Sequence, residues 1–127
     1  MLNGIRAILT DDATLTGLVG TKVYAVRAEQ RQDPPLIVLI AAGADPNNCK
    51  TGNSSIADEV DVTVIVMALT YAETLQIAER VRVLLDDYNG LADGEDLNID
   101  FVTYQDAHDD RASLYVRNMT FNVFHKA

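Results

Sequence analysis

The sequence predicts an α+β fold: an antiparallel sheet of about four strands, one long helix packed on one face, and short helices at the N-terminus. Three stretches carry the prediction. EVDVTVIVMALT alternates, with Val60, Val62, Val64 and Val66 facing one way and Asp61, Thr63, Ile65 and Met67 the other. TYAETLQIAERVRVLLDDYNG holds an apolar stripe at helical spacing through Tyr71, Leu75, Ala78, Val81, Leu85 and Tyr88. SLYVRNMTFNVF alternates again near the end. At 127 residues the chain suits a single domain, 1–127, able to bury roughly two-thirds of its unfolded surface.

In chain order, Leu2, Ile5, Ala7, Ile8 and Leu9 recur as a short helix. Asp11 or Asp12 caps a second short turn through Leu15 and Leu18, and Gly17 and Gly20 end it. KVYAVRAEQRQDPP reads as extended or irregular, because Pro34 and Pro35 forbid helix. Leu36 to Ala42 is a short β-rich run and reads as a buried strand. ADPNNCKTGNSS, dense in turn formers, is a long loop. After the alternating strand, Thr70 and Glu73 stand at capping-box spacing before the long helix. Gly90 marks its stop, giving a length of about 27 Å. Asp93-Gly94 is a turn; Leu97, Ile99 and Phe101 alternate as a strand. In the last strand Tyr115, Met119, Phe121 and Val123 share a face that Arg117 interrupts. That interruption places Arg117 at a subunit boundary rather than in the core. Ile65 and Met67 supply a second apolar surface on the face away from the helix.

Composition narrows the function. Asp and Glu outnumber Lys and Arg 19 to 10, for a net charge of −9, which argues against gripping nucleic acid through its phosphates. An acidic chain of this size also suits a basic protein partner. Cys49 is the one cysteine, so no intrachain disulfide or thiolate metal site is available, as in a reducing cytoplasm. MLNGIRAILTDD does not read as a signal peptide, and the apolar runs fall short of the ~20 residues that span a bilayer.

YQDAHDDR is the one cluster that suggests chemistry. Asp106, His108 and Asp109 offer a metal site or an acid/base pair. The competing reading is a polar hairpin loop between strands that end near Thr103 and start near Ser113, where Asp side chains hydrogen-bond nearby amides. No second His or Cys cluster supplies further ligands, which favours the loop. Cys49 beside Lys50 has no recognisable base or oxyanion partner. The expectation is therefore a protein that is not an enzyme and needs no cofactor or metal.

The whole chain resembles phage tail-completion proteins, the tail terminators of long-tailed phages and prophages. The opening does so through Leu18, Gly20, Val23, Tyr24, Pro35, Ile37 and Val38. The middle matches at Val62, Val64, Ala68, Ala72, Ala78, Val81, Leu84, Leu85 and Gly90. The close matches at Asp106, Asp109, Leu114, Tyr115, Arg117, Phe121 and Val123. It departs at Ile37-Val38, where the family often has an aromatic, and in its longer polar loop. The resemblance implies a virion component made in the host cytoplasm. It implies a homo-oligomeric ring, typically a hexamer, between the tail tube protein and the head connector protein. DNA passes through such a ring without specific binding. For such a subunit the contacts fall on Asp45, Asn48, Lys50 and Asn53 in the polar loop and on Tyr115 and Arg117 in the last strand. The alternative is a small metal-binding or hydrolytic domain using Asp106, His108 and Asp109.

Overall fold

Asp12 shows how the helical layer is assembled. In the computed structural model, which describes residues 2–20, 22–25, 34–41, 57–92, 94–110 and 113–126, it is the N-cap of helix α2 (Ala13–Val19). Its carboxylate accepts the Leu15 N–H at 2.9 Å and a two-pronged contact from Arg80 at 2.8 and 2.7 Å. Arg80 lies in helix α3 (Tyr71–Leu85), so one side chain caps one helix and ties it to another. Helix α1 (Leu2–Thr10) precedes α2 and buries Ile5 and Leu9. Gly20 closes α2 at φ 64°, a conformation that favours glycine. Thr70 caps α3 as its spacing predicts, accepting the Glu73 N–H at 3.2 Å.

The described residues form one six-stranded sheet. Its strands are β1 (Val23–Ala25), β2 (Leu36–Ala41), β3 (Ala57–Ala68), β4 (Tyr88–Ala92), β5 (Glu95–Asp109) and β6 (Leu114–Lys126). Their spatial order is β1-β2-β3-β6-β5-β4. β1 and β2 are parallel; every other pair is antiparallel. Register puts Val62 opposite Phe121 and Val64 opposite Met119, while Ile99 meets Val123 and Phe101 meets Phe121. These side chains share the face that the helices cover, with Ile77, Val81 and Leu85 of α3 buried against them. Phe101 and Phe121 meet edge to face, ring centres 5.5 Å apart. The sheet curls, so that α1 touches β1 and β2 at one end and β4 at the other. Ile65 and Met67 point away from the helices, opposite Val38 and Leu36, and are half-buried.

Four expectations need correction. The sheet has six strands rather than about four, and one pair is parallel. Three residues of the irregular-looking KVYA segment form β1, because Val23, Tyr24 and Ala25 find partners in Ile37, Val38 and Leu39. The long helix stops at Leu85, not Gly90. Asp87 turns to φ 60°, a left-handed conformation that Asp tolerates better than most residues, and Asp86 accepts the Phe101 N–H. Gly90 then lies inside β4, opposite Leu97. Finally, YQDAHDDR is not a loop up to Ser113. β5 continues through Asp109, paired in register as far as Leu114 of β6.

Two measurements follow. Phe121 is 1% exposed on the central strand, so Phe121→Ala is expected to lower unfolding free energy by about 3–5 kcal/mol in urea titration. The Arg80 guanidinium holds Asp12 down to about 2, from 3.8. Its folded-state value is depressed, so the stabilisation is complete above 3.8 and is lost as pH falls through about 2. Asp12→Asn keeps the helix cap but removes this titration, so the acid limb of a pH–stability curve should flatten in that window.

Candidate functional site

Beyond the end of β4, β5 and β6 continue toward the turn that joins them as an arm of the sheet, with β3 paired to the far side of β6 as far as Tyr115. A bulge between Phe101 and Thr103 leaves Val102 as the extra residue. Past the bulge, Tyr104, Asp106 and His108 lie opposite Met119, Arg117 and Tyr115, on the face that carries α3. The start of α3 meets this arm. The Thr74 hydroxyl is fully buried within 3.2 Å of the Tyr115 carbonyl.

Asp106 is the hub of the arm. Arg117 donates to both of its oxygens, at 2.7 and 3.0 Å, and the Tyr71 hydroxyl donates at 2.8 Å. The same guanidinium lies 4.2 Å from the centre of the Tyr104 ring. Arg117 beside it holds the Asp106 carboxyl below its ordinary value, and Asp106 holds the Tyr71 phenol above its own. His108 stacks at 4.6 Å on Tyr115 and places Nδ1 2.8 Å from Asp110 Oδ1. Tyr71 and Tyr115 meet at 5.9 Å. A cleft of about 380 Å³ opens between α3 and the arm, lined by Leu75, Ala78, Phe101, Tyr104, Arg117 and Met119 among others.

The predicted site residues fare differently. Tyr115 and Arg117 come together in this cluster, but Arg117 faces the helix side and is ion-paired within its own chain. Asp45, Asn48, Lys50 and Asn53, with Cys49, lie outside the described residues. The Asp106, His108 and Asp109 trio does not converge on one point. Asp106 is occupied by Arg117 and Tyr71, and His108 reaches Asp110 instead. Among the described residues, the carboxylates close enough to share an ion are Asp86, Asp87 and Asp100. They meet where the turn after α3 packs on β5, and their mutual repulsion raises Asp87, chiefly through Asp86. Asp87 and Asp100 are exposed and Asp86 is half-buried, and an acidic cluster of this kind is common without an ion.

Sequence reading missed Tyr71 and Tyr104 as members of the arm cluster. The signal was present: Tyr104-x-Asp106-x-His108 and Tyr115-x-Arg117 each alternate, as strand residues do.

No curated protein matches by sequence. A chain in the "Virion of native gene transfer agent (GTA) particle" has the same fold, with a TM-score of 0.75 and 19% identity, over 98% of this chain and 92% of that one. No helix among the described residues is long and apolar enough to cross a membrane. The profile of tail completion protein gp17 matches residues 3–126. The chain therefore belongs to the tail completion protein gp17 family of phage tail structural proteins.

Proposed function

We propose that the protein is a tail-completion subunit of a phage or prophage virion. Copies form a ring, a hexamer, that caps the tail tube and joins it to the head connector. Assembly takes place in the host cytoplasm, and DNA passes through the ring without specific binding. The observation that supports this reading is the family match over residues 3–126, joined by a virion protein of the same fold across 98% of the chain. The charge agrees: at −9 the subunit has no surplus of cations with which to hold DNA. The role is structural and needs no catalytic group. Asp106, the hub of the candidate acid cluster, spends both oxygens on Arg117 and Tyr71. Tyr115 and Arg117 shape this end of the sheet, and Asp45, Asn48, Lys50 and Asn53 supply further contacts to the neighbouring tail components.

Light scattering across a concentration series tests the ring. The 13.9 kDa chain should approach about 83 kDa, six copies, as concentration rises. A mass fixed at 13.9 kDa, both alone and with isolated tail tubes, would overturn the reading.

The arm cluster yields its own measurement. Arg117 is 14% exposed at the side chain and Asp106 is 30% exposed. Removing either partner alone, in Arg117→Met or Asp106→Asn, should cost about 1–3 kcal/mol, because the other charge loses its partner. The double variant should cost less than the two singles together, as a double-mutant cycle would register. Assembly should weaken in both single variants while the circular dichroism of the folded chain is retained.

A further inference from the structure

We propose that the outer edge of β5 beyond β4, residues 102–108, accepts an extended, Lys/Arg-bearing segment of a partner protein as an added strand. This goes beyond the ring reading and stands or falls without it. The backbone comes first. Pairing between β4 and β5 ends at Tyr88 and Ile99. Past that point β5 has β6 on one side and, among the described residues, no strand on the other. The Phe101 N–H turns outward to Asp86. Strand alternation, resumed after the bulge, turns the backbone groups of Tyr104, Asp106 and His108 outward as well. An edge of this kind is a template for another strand.

Side chains define which face of the added strand is apolar. The cleft between α3 and the arm runs beside this edge, and Leu75, Phe101 and Met119 contribute to its walls. Tyr104 is 50% exposed and Val102 56% exposed, so the edge carries apolar surface that an added strand would cover. Every second side chain of that strand would point into the cleft.

Charge selects the occupant. From Asp86 to Asp110 the chain has nine Asp or Glu and no Lys or Arg, while the remaining ten acids equal the ten bases elsewhere. The nine acids of this stretch therefore equal the whole net charge of −9. The two cations facing the cleft are committed locally. Arg117 is held by Asp106, and Arg82 lies over the Phe101 ring at 4.1 Å and 4.0 Å from Asp86. A second copy offering the same edge would set nine acids against nine, which disfavours self-pairing here. A segment alternating basic and apolar residues satisfies backbone, cleft and charge together.

The test uses the ¹⁵N-labelled full chain and a capped octapeptide of alternating Lys and Val. Two control peptides accompany it: the fully N-methylated form, and the form with Glu in place of Lys. Amide signals of residues 102–108 should shift and gain exchange protection, with affinity falling about tenfold or more for either control. Tyr104→Pro, which removes an outward N–H, should weaken binding while the remaining spectrum is preserved. If that variant unfolds, the N-methylated peptide still decides. Shifts scattered over all carboxylates and unaffected by N-methylation would mean bare charge attraction and would overturn the proposal. So would protection of residues 102–108 that rises with protein concentration without peptide, since the occupant would then be a second copy.

Discussion

The length of β6 is the constraint on which the rest depends. It is paired along one side with β3 from Ala57 to Ala68 and along the other with β5 from Asp96 to Asp109. Its alternation therefore dictates which face of three strands is buried. A slip of one residue would turn Met119, Phe121 and Val123 out to water and carry β3 and β5 with it. The helices add a layer to a face already chosen by this strand. The polar contacts that fasten them, Asp12 to Arg80 and Thr74 to the Tyr115 carbonyl, act where the layers meet.

Elements whose signal is local could be read from the sequence. The valine alternation of β3, the Thr70 cap and the apolar stripe of α3 each lie within a dozen or so residues, and each is present in the fold. What escaped depends on distant partners. Three residues of β1 have no pattern long enough to recognise and become a strand through β2. β4 contains Asn89 and Gly90, poor strand residues, and exists because it folds back on β5. YQDAHDD looks like a loop because Asp is a turn former. Pairing with β6 overrides that preference, as tertiary context commonly does.

The site shows the same division. Arg117 was visible as an interruption of an apolar face, and Asp106 was visible as part of an acidic run. Nothing in the order of residues pairs them across eleven positions; the register does. Arg117 therefore does interrupt the face, and its charge is answered from within the chain. Its guanidinium joins the sheet to the Tyr71 end of α3 through a shared carboxylate, so the arm is fastened to α3 as well as to β3.

The bulge at Val102 works as a phase shifter between two programmes written on one strand. Up to Phe101, every second side chain is committed to the core; after it, the count restarts, and Tyr104, Asp106 and His108 take the helix-facing positions. The two halves are thereby decoupled. The arm can lengthen or shorten at its tip by paired residues, and its polar face can be rewritten, without altering the parity on which the packing of Phe101 and Phe121 relies. A fixed body with an adjustable end of the sheet is a geometry in which docking specificity can change while the fold stays the same.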